Sequence, residues 1–286
     1  TRKIRRLKRH KGSNQMSNNT ELKLTTEKMR AYKAGATGHI VFNNPERHNA
    51  VSLEMWDAVE VVLATFKDDD DIRVVVLSGA GGKSFVSGAD ISKFESERGS
   101  KDATAHYNAR LKVVYDTIEN YPKPTIAMID GYCIGGGLNL AACADMRIAS
   151  AKSKFAMPAA KLALGYPFDA IRRLVNAIGA ASAKQLMFTA KSIDAEAALR
   201  LGLVQEVVAE TELAARVDAL SATISGNAPM TVRAMKFIAT QVMHPDPSAR
   251  DLARCDEMVS ACFASEDYVE GRKAFMEKRK PDFKGR

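Results

Sequence analysis

Several things are scarce in this 286-residue chain, and each scarcity closes off a class of function. No run of about eighteen consecutive apolar residues occurs, which excludes a membrane-spanning helix. The basic start lacks the apolar stretch and small-residue cleavage site of a secretory signal, so a cytoplasmic protein is expected, or a mitochondrial-matrix one in a eukaryote. Cysteine is limited to Cys133, Cys143, Cys255 and Cys262, without metal-ligand spacing, so reduced, mostly buried thiols and no metal are expected. No G-x-G-x-x-G lies between a strand and a helix and no G-x-x-x-x-G-K-[ST] occurs, so phosphoryl and hydride transfer drop away. No repeat of solenoid length is present.

Acids are absent from the first twenty residues, and that absence localises the charge. Arg2, Lys3, Arg5, Arg6, Lys8, Arg9 and Lys11 contribute +7 of the formal net charge of +8. The remainder is nearly neutral, so the basic balance belongs to an extension rather than to the fold. Three readings of that stretch stand side by side: an appended or mis-assigned start ahead of Met16, an organelle-targeting remnant, or an arm for RNA or anionic surfaces. Apart from such an arm, no nucleic-acid partner is expected, and residues 1–35 are expected to form a flexible basic extension.

What is present begins with alternation. Short β-rich runs alternate with longer amphipathic segments from about residue 36, the mark of an α/β fold with crossover connections. Gly38–Phe42 and "IRVVVLSG" read as strands, with a helix over 53–66 that Ser52 is placed to cap. A second helix is expected over about 103–120, ended by Pro122 and Pro124 ahead of the strand "TIAMIDG". Past residue 165 the pattern turns helical: 169–178, 181–189, 194–201, then, after the short strand "LVQEVV", 211–226, 229–242, 248–263 and 266–279. The expected division is a core over 36–205 and a helical unit over 206–286, too small to stand without packing on its own core or on other subunits.

Two glycine-bearing loops, "GAGGKSFVSGADI" and "GYCIGGGLNL", each follow a buried strand and open a helix. Such loops let backbone N–H groups approach a ligand, and a helix N-terminus adds partial positive charge. Two converging amides make an oxyanion hole, each donor contributing about 3–4 kcal/mol where water is excluded. Tight turns and close helix packing would account for the same glycines without any ligand.

The segments "NNPERHNAVSLEM", "SFVSGADISKF" and "KPTIAMIDGYCIGGGLNLAACADMRIAS" resemble, in order and spacing, those of the crotonase superfamily, the enoyl-CoA hydratase/isomerase family. The resemblance runs from about Gly38 to the C-terminal "FMEKRKPDFKGR". It implies a crotonase-like spiral of ββα units with a C-terminal helical trimerisation region, in trimers or dimers of trimers. It also implies an acyl-CoA thioester as substrate, with no cofactor besides.

Carried over residue by residue, the resemblance puts the oxyanion amides at Ala89 and Gly136. It puts CoA contacts along Ser87, Gly88, Asp90 and Ile91, with Lys83 and, more loosely, Arg47 as basic neighbours. Phe275 and Lys278 match positions that reach the CoA of a neighbouring subunit, although solvated surface explains such basic residues equally well. Asp145 matches a position that is generally structural.

The departure lies at the two positions where hydratases of that family carry glutamates, which here read Asn139 and Ala159. An amide can orient a water or carbonyl but takes no proton at neutral pH, and a methyl group does neither. Candidates for the missing proton carrier stand in "GYPFDAIRRL". Asp169 reads either as a relocated base or as a helix N-cap, and Tyr166 either as a donor to a substrate oxygen or as packing. His48 and His106 read better as turn and surface residues. Glu95 or Glu97, in a loop of mobile composition, is a further candidate carboxylate.

Overall fold

The computed structural model describes residues 20–286, so the readings of the stretch before Met16 lie outside the described residues. In chain order the strands are β1 (Thr20–Glu21), β2 (Met29–Ala34), β3 (Thr37–Phe42), β4 (Val74–Gly79), β5 (Ser84–Val86), β6 (Thr125–Ile129), β7 (Tyr132–Ile134), β8 (Met146–Ser150), β9 (Lys154–Ala156), β10 (Ile193–Asp194) and β11 (Glu206–Val208). The helices are α1 (Leu53–Asp68), α2 (Phe94–Arg98), α3 (Lys101–Glu119), α4 (Gly136–Cys143), α5 (Phe168–Thr189), α6 (Ala195–Arg200), α7 (Leu213–Ser225), α8 (Pro229–Val242), α9 (Leu252–Ala264) and α10 (Glu266–Met276).

The strands form a seven-stranded sheet, ordered β1-β2-β3-β4-β6-β8-β11, and a four-stranded sheet, ordered β10-β9-β7-β5. Three times the chain leaves the large sheet, adds a short strand to the small one, and enters a helix: β4–β5–α3, β6–β7–α4 and β8–β9–α5. This is the spiral of ββα units that the resemblance implied. Its helices differ in length, 19 residues in α3 against 8 in α4, which hides the repeat from a search at fixed period.

The all-apolar run in β4 has a direct explanation. Val75 and Leu77 face the main core with Val59, Leu63 and Phe66 of α1, while Val74 and Val76 face a second core with Ile126, Ile148 and Leu213. A strand buried on both faces has no polar side to alternate with.

Two expectations are corrected. The extension over 1–35 is too long, because Met29 and Ala31 of β2 are buried and the strand pairs with β3 along its whole length. The boundary at 205 cuts through structure: β11 pairs with β8, and Leu213 and Val217 of α7 lie in the second core, so the outer unit is α8–α10. The two helices expected over 169–178 and 181–189 are present as the two halves of α5, separated at Gly179, whose φ of 76° and ψ of 158° are not helical. Among the described residues no helix is long and apolar enough to cross a membrane.

Candidate active site

The site is built where the tops of β5 and β7 meet. Residues 87–90 are stitched to the turn before α1: Ser87 N donates to His48 O at 3.2 Å, Val51 N to Gly88 O at 2.9 Å, and Asp90 N to Val51 O at 3.0 Å. Alternate residues of an extended segment point their amides to opposite sides. The Ala89 N–H therefore faces away from Val51. Asn49 fixes the turn, its buried amide donating to Ala80 O and Ser84 O at 3.0 and 2.7 Å and accepting from Asn44 N at 2.9 Å.

The triple glycine supplies the facing wall. Gly135 has φ 57° and ψ −114°, a conformation closed to other residues, and its N–H goes to Ala156 O at 2.9 Å. Gly136 opens α4, where a helical amide has no acceptor in its own helix. A Cβ on Gly136 would lie 3.6 Å from the Gly88 Cα and 3.4 Å from the Tyr115 hydroxyl, and one on Gly137 would lie 1.9 Å from the Val86 carbonyl oxygen. A side chain is therefore excluded at Gly137, while at Gly136 an added Cβ would meet only ordinary van der Waals contacts. At the other end of α4, the buried Arg147 donates to Leu203 O at 2.6 Å and to Ala144 O at 2.8 Å, holding the helix so that its positive end faces Gly88.

Around the glycine turn lie phenols. Tyr115 donates to Gly136 O at 3.2 Å, and the Tyr166 hydroxyl lies 3.7 Å from where a Gly135 Cβ would be. Burial pushes the Tyr166 phenol up to about 12, with nearby Arg98 opposing and Tyr107 adding to the shift. Burial likewise holds Tyr115 well above its usual value, with Cys143, Tyr166 and Tyr107 adding and the Asn139 amide opposing. Both stay protonated donors at neutral pH. Asn139 is 5 % exposed, one turn along α4, and its Oδ1 has no hydrogen-bond partner. Ala159 sits in the turn over Pro158–Leu162, directly after Pro158, whose Cδ lies 3.9 Å from the same Gly135 position.

The candidate carboxylates are placed elsewhere. Asp169 does not cap α5, whose N-cap is Pro167. It meets Lys112 at 3.2 Å and Arg172 at 3.5 Å. Burial pushes its carboxyl up, but the hydrogen bond from Lys112 and the charges of Lys112, Arg172 and Arg173 outweigh that and hold it below the usual range. It lines a cleft of about 890 Å³ together with Asp116, Arg172 and Met235, a cleft that Gly88, Ala89, Gly136 and Asn139 do not line. The cap reading of Asp169 is therefore corrected, and its carboxylate is engaged in ion pairs. Glu97 accepts from Leu53 N at 3.1 Å, taking the capping role expected of Ser52, whose side chain makes no cap bond; Glu95 is exposed.

Of the residues assigned to CoA, Ser87, Gly88 and Asp90 lie beside the paired amides, but Asp90 is internally engaged. Its Oδ1 accepts from Ser92 N and Oγ at 3.0 and 2.6 Å, besides the bond from its N–H to Val51. Ile91 is 71 % exposed, and Lys83 and Arg47 are exposed near the same loop. Phe275 and Lys278 stand exposed at the end of α10. His48, in the left-handed region at φ 53°, pairs with Ser84 Oγ at 3.0 Å, and His106 is exposed. Asp145 binds Thr125 N and Lys236, both at 2.7 Å, in keeping with a structural role. No cluster of side chains suited to a metal ion occurs among the described residues.

With this geometry in hand, comparison with known proteins gives one answer. The enoyl-CoA hydratase/isomerase family model matches residues 33–286. The chain belongs to that family. It is 36% identical over 248 residues to a crotonyl-CoA hydratase of Syntrophomonas wolfei, covering 85% of this chain and 93% of that one. A short-chain-enoyl-CoA hydratase of Clostridium acetobutylicum is 34% identical over 255 residues, covering 89% and 97%. Among solved structures, an enoyl-CoA hydratase/carnithine racemase from Magnetospirillum magneticum superposes with a TM-score of 0.87 at 32% identity, covering 92% and 97%. Family membership explains the paired glycine loops.

Reading the sequence for this family site missed Tyr107 and Tyr115. Their spacing with Leu111 on α3 marks one helical face, but such a stripe reads as ordinary core until α4 is seen against it.

Proposed function

We propose that this acyl-CoA enzyme of the hydratase/isomerase type holds a thioester carbonyl between the Ala89 and Gly136 amides. The single observation that carries this reading is the approach of Gly88 to Gly136, with the amide of Ala89 turned from Val51 and that of Gly136 at the start of α4. When charge builds on the carbonyl oxygen, as the α-carbon becomes carbanionic, two fixed donors stabilise the resulting enolate.

The proton step then falls to a phenol. Asn139 and Ala159 carry no proton at neutral pH, and Asp169 is neutralised by its cations. Tyr166, whose hydroxyl lies 3.7 Å from where a Gly135 Cβ would be, gives its proton to the α-carbon of the enolate in this reading. In the reverse direction its phenolate, after losing the proton to solvent, takes the α-proton, leaving the C–H electron pair in the enolate. Hydration by a pair of carboxylates is not the reaction this pocket supports. Ser87, Gly88 and Ile91 would carry CoA, with Lys83 and Arg47 toward its phosphates. The exposed Met235, Phe263, Phe275 and Met276 on α8–α10 support a trimer or dimer of trimers, in which Phe275 and Lys278 would reach a neighbour's CoA; a stable monomer in light scattering would contradict this.

The experiment is proton exchange at the α-carbon of a panel of acyl-CoA thioesters in D2O, followed by NMR beside crotonyl-CoA hydration. Exchange that outpaces hydration and falls in Tyr166→Phe supports the reading. Hydration that outpaces exchange and survives in Tyr166→Phe contradicts it.

A further inference from the structure

Away from the glycine turn, a cavity of about 530 Å³ lies between α8, α9 and the turn ahead of β6. Its size falls in the range of small-molecule sites, about 300–1,000 Å³. From α8 it takes Met230, Arg233 and Phe237, whose spacing puts them on one face of the helix, and from α9 it takes Met258. The buried ring of Tyr121 completes the wall, held by the bond from its hydroxyl to Leu63 O at 2.8 Å. Gly88, Ala89, Gly136, Asn139 and Tyr166 do not line this cavity, so it is separate from the two-amide site. It also differs from the face of α8 that carries the exposed Met235, which lines the larger cleft instead.

The charges around the cavity leave one cation over. Lys236 meets Asp145 at 2.7 Å, and Arg254 meets Glu257 at 2.5 Å. Arg233 is half-buried and makes no hydrogen bond or ion pair among the described residues. It also borders a smaller cavity of about 300 Å³, whose other cations are engaged. There Arg73 donates to Ser225 O and Phe283 O at 2.9 and 2.6 Å, Lys123 donates to Phe66 O and Asp69 O at 2.6 and 2.7 Å, and Lys284 and Arg286 pair with Asp282 and Glu266. Asp70, on the same smaller cavity, is exposed and does not pair with Arg233. A guanidinium at the edge of an apolar wall matches an anion that brings two acceptor oxygens and a hydrocarbon part. A purely apolar occupant would strand the charge, and a purely ionic one would leave Met230, Phe237 and Met258 in water.

We propose that this cavity is a second ligand site, which takes a free amphipathic carboxylate of medium chain length, with the carboxylate on Arg233 and the chain against Met230, Phe237 and Met258. The free acid binds there without CoA, so the site stands independently of the acyl-CoA reading above. A ligand so placed touches α8 and α9 of the outer unit and the turn that enters β6 of the core.

The test is calorimetric titration of the whole protein with octanoate and with octanamide, which share a chain and differ in charge. Octanoate is expected to bind about tenfold or more tightly, the size of one charge-assisted hydrogen bond. That ratio should collapse toward one in Arg233→Gln. A second measurement locates the ligand without that variant: with the methionine methyl groups labelled with 13C, octanoate should shift the NMR signals of Met230 and Met258, assigned through Met230→Leu and Met258→Leu. Met157, next to Pro158 at the glycine turn and assigned through Met157→Leu, should not move. Equal affinity for the two ligands, neither heat nor shifts at millimolar octanoate, a preference that survives in Arg233→Gln, or shifts at Met157 in place of Met230 and Met258 each overturn the inference.

Discussion

Two neighbouring regions of this molecule hold their polar groups in opposite ways. Along the seam between α3 and α5, Asp116, Glu119 and Asp169 are met by Lys112, Arg172 and Arg173, with Arg172 and Arg173 each bonding Glu119 at 2.9 Å. Beyond Tyr115, whose ring lies 5.7 Å from the Arg173 guanidinium, the surroundings of the glycine turn hold phenols, an amide and an indole, of which Tyr107 OH, Asn139 Oδ1 and Trp56 Nε1 have no hydrogen-bond partner. The lesson is that proximity in sequence to a catalytic motif does not make a carboxylate a base. What decides is whether cations already stabilise its charged form.

The sharpest way to break this comparison is to damage the seam. Arg173, with a side chain only 3 % exposed, joins Asp116 and Glu119 at 2.8 Å. Arg173→Leu is expected to destabilise the protein by about 3 kcal/mol in urea unfolding, because two partly buried carboxylates lose their partner. A loss under about 1 kcal/mol would show that the seam is ordinary solvated surface.

In the pocket, Tyr166→Phe is expected to lower kcat for the enolate-forming step by about 100-fold, as for loss of a general acid, with little change in stability. An unchanged kcat would remove the phenol from the mechanism. Alkaline unfolding sharpens the contrast further. Burial pushes the Cys143 thiol and the Tyr166 phenol both up to about 12 and raises the Tyr115 phenol, so above the ordinary thiol and phenol range the unfolded chain binds fewer protons than the folded one. Stability contributed by these groups is full below their unfolded pKa values and is lost as pH rises through the folded ones. Urea midpoints should therefore fall steadily above about pH 9, and a midpoint flat to about pH 11 would contradict the burial of these groups.

The smallest effect is expected at Asp169. Asp169→Asn should change kcat/KM by less than about twofold and stability by less than about 1 kcal/mol, because it removes one partly exposed ion-pair member. A loss of activity as large as that of Tyr166→Phe would return Asp169 to the mechanism.

Much of the fold was legible in the sequence. The strand "VVVLSG", the helix starts at Leu53 and Pro229, and the glycine-led α4 follow from local pattern and turn chemistry. The three glycines were legible as a backbone-presenting turn, although the separate reason for Gly137, the Val86 carbonyl that an added Cβ would strike, exists only once β5 is laid beside α4. Asp169 was misread because a polar residue ahead of "AIRRL" is also where a cap would sit, and its partner Lys112 lies 57 residues away. Tyr107 was passed over although Arg98, whose guanidinium lies 3.7 Å from its ring centre, is only nine residues away, because the pairing needs α2 folded back on α3. Charge and hydrogen-bond partners across long separations are set by tertiary packing, and sequence pattern is blind to them.

The most direct test of the two-amide site is the infrared carbonyl stretch of a bound acyl-CoA labelled with 13C at the thioester carbonyl. Two fixed donors should polarise that bond, so the band is expected to move to lower frequency on binding and to return toward its solution position in Ala89→Pro, which removes one N–H. A saturated complex whose carbonyl band stays at the solution frequency would contradict the account.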